Sequence, residues 1–281
     1  MKTKLAYLVF LPALLLSSCG NGQALSEEER DKAVAAVSEK SEDLANVEAT
    51  ISMTSAEYDE ETKKSVTTKT NMTYRGNAND EAYLKSSATR GEEKSESEVY
   101  LVQNETYQQV LYTKTYDAET KKDVIEVYGY EGNELTFTFS ALYFMVPQMY
   151  ISMFADPAQL DVSGLVSDDE SGREYNVTTN YYSSGEGQLT IKVNAKVKGE
   201  VKKDEEEFTT TANFTVEYAE NHLKSVDGGG TSNKGNKSSI KMNVTVKENV
   251  TITLPSGWEE LINKSSSSLI DFGGDDDESD L

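Results

Sequence analysis

The sequence predicts a mainly β protein with few helices, of the α+β class, in which the strands form an antiparallel meander. From Thr50 onward, apolar and polar residues alternate with a period of two, as in strands with one buried face. A turn-like segment occurs twice, as YDEETKKSV from Tyr58 and as YDAETKKDV from Tyr116. Only two stretches of the chain show apolar residues at helical spacing. We therefore expect one large sheet with two helices packed against it.

The N-terminus has the composition of an export signal. Lys2 and Lys4 precede an apolar run from Leu5 to Leu16. A run of this length is too short to span a bilayer as a mature anchor and is typical of a signal peptide. We predict that residues 1–18 are a signal peptide and are removed.

The only cysteine follows this run directly. Leu16-Ser17-Ser18-Cys19, followed by Gly20, resembles the lipobox of bacterial lipoproteins. The resemblance implies cleavage before Cys19 and a covalent diacylglycerol on its thiol, with no other cofactor. The alternative, an ordinary signal peptide with a chance cysteine, leaves an unpaired thiol in an oxidising compartment. An acylated Cys19 leaves no thiol for a disulfide, a metal or nucleophilic catalysis.

Charge limits the partners of the mature chain. Without residues 1–18 it has 25 basic and 49 acidic residues, a formal charge of −24. This excess opposes binding to nucleic acid or to an anionic lipid surface. Attachment to the membrane must then come from the two acyl chains, which suffice for stable anchoring. Residues 19–25 form a lipidated tether that holds the domain within roughly 20 Å of the headgroups.

The domain is predicted to span residues 26–264 and to begin with a helix. Ser26 and Glu29 have capping-box spacing, and three glutamates occupy the first turn. Apolar residues then recur at roughly helical spacing up to Val47, which predicts a helix over residues 27–45. The strands follow, and the clearest alternation runs through residues 189–197, 212–218, 240–246 and 250–254.

The repeated segment is interpreted as a pair of hairpin turns. Asp59 and Asp117 can cap a turn through their side chains, and a polar Glu-Thr-Lys-Lys follows each of them. A calcium site is disfavoured because the segment lacks the alternating acids and the glycine of an EF-hand loop.

The middle of the chain contains a long uncharged segment. Residues 135–155 have no charged side chain, but several hydroxyl groups, a glutamine and Pro147 make them a poor membrane span. Part of this segment, from Ser140 to Phe154, is predicted to be an apolar helix that Pro147 either kinks or starts. Four apolar side chains share one of its faces, namely Leu142, Met145, Met149 and Met153.

Chemistry-bearing motifs are scarce. His222, the only histidine, lies in a polar turn, and the chain contains neither a G-x-S-x-G elbow nor a cysteine–histidine zinc cluster. The glycine-rich loop at residues 227–237 lacks the Gly-Lys pair and the following helix of a phosphate-binding loop. Trp258 is the only tryptophan, which disfavours a carbohydrate-stacking site. We expect neither an enzyme nor a metal site.

The order of elements resembles the LolA-like and LppX-like lipoproteins. The shared features are an N-terminal helix, an antiparallel meander, a central apolar helical insertion, further strands and a last strand ending Val250-Thr251-Ile252-Thr253-Leu254-Pro255. The resemblance implies an open half-barrel that holds a lipid or acyl chain against helices inserted on its concave face. A permanent anchor at Cys19 departs from the soluble carriers of this group and favours local lipid holding over shuttling.

Two functions remain open from the sequence. The first is a membrane-anchored, extracytoplasmic bacterial lipoprotein that holds a hydrophobic ligand without catalysis. Two helices are few for so wide a sheet, so an apolar groove would remain. Its expected lining is Leu142, Met145, Met149, Met153 and Phe154. In the second, the helices and the sheet close into a dry core, and the lipoprotein acts through protein contacts in the cell envelope. The acidic tail, residues 265–281, has little to bury and is predicted to be disordered.

Overall fold

Two antiparallel meanders lie side by side in one 13-stranded sheet. The computed structural model describes residues 23–41, 44–59, 62–130, 136–160, 173–199 and 208–263. The first meander consists of β2 to β7, and the second of β8 to β12. The strands are β1 Gln23–Ala24, β2 Val47–Asp59, β3 Lys64–Gly76, β4 Ala82–Arg90, β5 Glu93–Val102, β6 Gln109–Asp117, β7 Lys122–Tyr130, β8 Arg173–Ser183, β9 Leu189–Gly199, β10 Phe208–Ala219, β11 His222–Ser232, β12 Lys237–Val246 and β13 Ile262–Asn263.

The pairing of β12 with β2 joins the two meanders. The strand order is β1-β8-β9-β10-β11-β12-β2-β3-β4-β5-β6-β7-β13, so β1 and β13 are the outer strands and the sheet stays open. Neighbouring strands are antiparallel throughout, except that β13 pairs with β7 in parallel. This architecture confirms the predicted mainly β, open antiparallel fold.

Within the described residues, three α-helices accompany the sheet: α1 Glu27–Ser38, α2 Thr136–Ala155 and the single turn α3 Trp258–Leu261. A 3-10 turn, Pro157–Leu160, follows α2. The predicted capping box is present. In it the Glu29 carboxylate accepts a bond from the Ser26 backbone N–H at 2.9 Å, and the Ser26 hydroxyl also donates to this carboxylate at 2.6 Å.

The first helix is shorter than the predicted range, 27–45. It ends at Ser38, and Val47 already pairs with Gly76 of β3 and Val246 of β12. Val47, which extended the apolar pattern of the helix in the sequence, therefore belongs to the sheet. Apolar spacing alone could not show where the helical period gave way to the strand period.

The repeated segments form equivalent hairpin turns, as predicted. The last pair before each turn is Asp59 with Lys64 in the β2–β3 hairpin and Asp117 with Lys122 in the β6–β7 hairpin. Both turns also place a lysine, Lys63 or Lys121, at a φ of 55°. The Asp117 carboxylate accepts a bond from the Glu119 backbone N–H at 2.8 Å. The sequence repeat is thus a repeat of turn chemistry.

The predicted last strand is wrong. Residues 249–255 make no strand pairing, because β12, which precedes them, already has β11 and β2 on its two sides. The chain instead crosses the sheet face opposite α2, where Val250 and Ile252 are buried with Val102 against Tyr83 and Tyr100. The alternation in the sequence therefore reports an extended segment with one apolar side, docked flat on the sheet.

Candidate functional site

Helix α2 lies across the strands on one face of the sheet, here called the inner face. The Phe144 ring packs on Tyr74 of β3 with ring centroids 6.3 Å apart, and the Gln148 amide donates to the Tyr74 hydroxyl at 3.0 Å. Ten residues later, Phe154 packs on Phe214 of β10 with centroids 6.1 Å apart. Because β3 and β10 are four strand positions apart, about 19 Å, the helix bridges both meanders.

A buried hydrogen bond fixes the C-terminal end of α2. The Tyr218 hydroxyl of β10 donates to the Phe154 carbonyl at 2.7 Å. This carbonyl belongs to the last turn of the helix, where no intrahelical donor is available. Burial, with the charge of Asp156 nearby, raises the pKa of Tyr218 far above its usual value, so the hydroxyl stays protonated as the donor. The adjoining residue Asp156 accepts a bond from Ser38 of α1 at 2.6 Å, which ties the two helices together.

The two sides of α2 differ in exposure. The side toward the sheet is buried and contributes Phe144, Pro147, Ile151, Phe154 and Ala155. The side away from the sheet is exposed. Its apolar part, here called the solvent face of α2, consists of Tyr143, Met145, Val146 and Met149, which are 37%, 55%, 39% and 48% exposed. Two polar residues of the helix, Gln148 and Ser152, are exposed beside it.

The residues predicted to line a ligand site are therefore not brought together. Met145 and Met149 lie on the solvent face, whereas Phe154 is buried against the sheet and Met153 is half-buried at the edge of the core. Leu142 lies in α2, and its side chain is outside the described residues. The sequence could not orient this helix, because it has no charged residue and its few polar residues do not form a wide polar stripe that would mark the outward face.

The inner face is organised in rows that run across five adjacent strands, β2, β12, β11, β10 and β9. Cross-strand pairing aligns the side chains of each row. The first, here called the core row, is fully buried beneath the helices, with every member at 0% exposure. Its members are Ile51, Met242, Val226, Val216 and Ile191.

Two residues further along each strand, toward the β2–β3 turn, the burial decreases. This second row, the floor row, packs against the core but keeps its large side chains half-buried. Its members are Met53, Ile240, Gly228, Phe214 and Val193. Gly228 is required here, because a Cβ at this position would overlap the Phe214 ring.

The third row contains only small side chains and is here called the small-residue row. Its members are Ser55, Ser238, Gly230, Ala212 and Ala195. Ser55, Ser238 and Ala195 are half-buried, while Gly230 and Ala212 are buried. Small side chains rise less far from the backbone than those of the floor row, and the two rows together make an uncharged strip of the inner face beside α2. We refer to these two rows as the inner trough.

Charge is absent from the inner trough and begins at its rim. None of the ten residues in its two rows is titratable. Two residues beyond Ser55 along β2, Glu57 pairs with Arg90 at 3.8 Å, and both side chains are largely exposed. The ten residues of the trough therefore offer uncharged, largely apolar contact to a ligand, and the Glu57–Arg90 pair lies at its rim.

Among the described residues, no group of His, Cys, Asp and Glu side chains is arranged to hold a metal ion, and no helix is long and apolar enough to cross a membrane. His222 starts β11 beside the β10–β11 turn, and its Nδ1 lies 2.9 Å from the Glu220 carbonyl oxygen.

Comparisons with known proteins find no sequence match and a distant structural similarity. No protein-family model and no curated protein matches the chain. Among solved structures, it is similar to the crystal structure of a DUF1329 family protein from Desulfovibrio piger. The match has 10% sequence identity, covers 79% of this chain and 94% of that chain, and has a TM-score of 0.22.

Proposed function

We propose that the protein is a membrane-anchored, extracytoplasmic bacterial lipoprotein that holds a lipid or another acyl-chain ligand in the inner trough, without catalysis. The observation that supports this is the change in burial along the inner face. The core row is fully buried, whereas the large apolar side chains of the adjoining floor row are only partly buried. Partly exposed apolar side chains next to a fully buried core are typical of a surface that binds an apolar partner.

The dimensions and chemistry of the trough suit an acyl chain. It spans five strands, about 19 Å from the first to the fifth, and contains no charged group. Each methylene that leaves water contributes about 0.8 kcal/mol, so eight buried methylenes would contribute about 6 kcal/mol before the cost of ordering the chain. This estimate predicts that the trough binds an acyl chain specifically but reversibly.

The ligand site is revised from the sequence-based lining. Phe154 and the half-buried Met153 remain candidates, because Phe154 contacts Phe214 of the floor row. Met145 and Met149 are excluded from the trough, since they lie on the opposite side of α2. The principal contacts are instead Met53, Ile240 and the other floor-row side chains.

The proposed anchor is the diacylglycerol on Cys19. The described chain starts at Gln23 in β1, which pairs with β8 at one edge of the sheet. Three residues, Gly20, Asn21 and Gly22, separate Cys19 from Gln23. Mass analysis of the N-terminal peptide of protein made in bacteria tests this step separately, because acylation adds the mass of the lipid to Cys19.

The ligand proposal is tested with a pair of tryptophan variants of adjacent residues. Ser55→Trp places a large side chain in the small-residue row, whereas Thr54→Trp places the same side chain on the opposite face of β2, where the pairing puts it beside Ser239. Both native residues are half-buried. Binding of the fluorescent fatty acid cis-parinaric acid to the purified mature chain is measured, with circular dichroism as the check of folding.

We expect Ser55→Trp to weaken binding by about tenfold or more, which corresponds to about 1.4 kcal/mol. Thr54→Trp should leave the affinity unchanged. Equal binding by the two folded variants would mean that the fatty acid does not occupy the trough.

The alternative is a closed lipoprotein that acts through protein contacts in the envelope. The fully buried core row and the buried side of α2 favour this alternative, because the helix already covers this part of the inner face. Under this alternative the native chain binds no fatty acid at all, and neither tryptophan variant changes anything.

A further inference from the structure

The solvent face of α2 presents apolar side chains without a partner in the described structure. From Thr136 to Ala155 the helix contains no charged residue. A surface helix of a water-soluble protein normally has a polar outer side, and an exposed apolar patch marks a contact with another body. Tyr143, Met145, Val146 and Met149 form this patch.

The tether reaches the sheet at an identifiable position. In β1, Gln23 pairs with Ser183 and Ala24 pairs with Tyr182, so the chain enters beside the last residues of β8. Because a residue extends the chain by at most about 3.5 Å, Cys19 lies within about 14 Å of Gln23. The point of lipid attachment is therefore close to this end of the sheet.

Helix α2 crosses the sheet at the same end. Its partners Tyr74 and Tyr218 lie close to the last residues of β3 and β10. Strands β8, β10 and β3 are an even number of positions apart in a sheet whose neighbours alternate in direction, so all three end at the same edge. The helix and the exit of the tether are thus neighbours.

The distances are compatible with simultaneous contact. A helix with its side chains is about 10–12 Å thick, and Cys19 lies within about 14 Å of Gln23. The two lengths are of the same order, so a membrane that receives the acyl chains of Cys19 lies close to the solvent face of α2.

We infer that the solvent face of α2 rests on the lipid bilayer in which the chain is anchored. This inference depends on the proposed anchor at Cys19. The solvent face of α2 suits a lipid surface, because an uncharged apolar patch can enter the membrane interface without an electrostatic cost. The rest of the mature domain, with its formal charge of −24, is repelled by anionic headgroups. Tyr143 adds a side chain suited to the headgroup level.

The contact also gives the inner trough a source of ligand. Phe154, on the sheet side of the same helix, contacts the floor row through Phe214. A bilayer on the solvent face of α2 would lie one helix thickness from the trough. The class of ligand is then a membrane lipid, drawn from the bilayer that holds the anchor.

Two tryptophan variants of the mature chain, residues 19–281, test the docking. Met149→Trp places a tryptophan on the solvent face of α2. Val66→Trp is the matched control: it replaces a residue of similar exposure in β3, eight residues or about 26 Å along the strand from Tyr74, toward the hairpin tips. Each protein is coupled through the Cys19 thiol to a maleimide phospholipid in phosphatidylcholine vesicles, and quenching by brominated phosphatidylcholine is measured. The native Trp258 gives the same background in both.

We expect brominated lipid to quench Met149→Trp several-fold more than Val66→Trp. Equal quenching of the two variants would overturn the inference. It would also be overturned if the uncoupled chain formed a dimer whose Met149→Trp emission is shifted to the blue, since a second copy would then cover the face. Chemical coupling supplies the tether, so these results do not depend on whether cells acylate Cys19, which the peptide mass decides.

Discussion

Replacement of Phe144 by alanine tests how α2 is seated. Phe144 is 1% exposed, belongs to the main core and packs on Tyr74. Truncation of a buried phenylalanine to alanine removes its transfer free energy and leaves a cavity, at a cost of about 3–5 kcal/mol. Because domains of this kind are stable by about 5–15 kcal/mol, the variant should fold but unfold at a much lower denaturant concentration.

The matched control is Met145→Ala, one residue along the same helix. Met145 is 55% exposed on the solvent face, so its truncation removes little buried area. Its free energy of unfolding should stay within about 0.5 kcal/mol of the native value. Urea unfolding followed by circular dichroism measures both variants, and the slope of the transition checks that the unfolded states are comparable.

The reversed result would refute the seating of the helix. If Met145→Ala lost several kcal/mol and Phe144→Ala lost almost none, the methionine side would face the sheet. The sequence-based lining of the ligand site would then be restored, and the bilayer contact of α2 would lose its basis.

Three further predictions concern single residues of the sheet. Tyr218→Phe removes the donor to the Phe154 carbonyl and should cost about 1–3 kcal/mol in urea unfolding, because a buried acceptor is left without its partner. Gly228→Val should destabilise by at least about 1–3 kcal/mol, since its Cβ would overlap the Phe214 ring, and equal stability would show that this ring is not packed there. Burial raises the pKa of Tyr130 from 10.0 to about 12, so the folded chain holds this proton more tightly than the unfolded chain. The free energy of unfolding should therefore fall as pH rises from about 10 towards 12, and absorbance at 295 nm should show late-ionising tyrosines only in the folded protein.

The strand pattern was largely predictable because a half-buried sheet imposes an alternation that the sequence shows directly. Both repeated turns were identified as hairpin turns, since Asp117 and the lysines that follow it have the side chains such a turn needs. The same signal failed at residues 250–254. Alternation reports one apolar side, and it does not distinguish pairing within a sheet from docking on top of one.

The ligand site was less predictable than the fold. An uncharged helix with few polar residues contains little information about its rotation, so Met149 and Phe154 were grouped although they lie on different sides. The inner trough was missed for another reason. Its row from Ser55 to Ala195 consists of residues that are distant in sequence and are aligned only by strand pairing. Small residues in strands are ordinary one at a time, and only the register shows that five of them lie together.

Native mass spectrometry of the mature chain tests the central claim most directly. The protein is purified under mild conditions from a bacterial membrane fraction, released from detergent in the gas phase and weighed, and any non-covalent ligand is extracted and identified. The account predicts a reproducible additional mass that organic extraction identifies as lipid, and its loss in Ser55→Trp but not in Thr54→Trp. A chain that stays free of ligand after incubation with membrane lipids would contradict the lipid-holding function and favour the closed protein that acts through envelope partners.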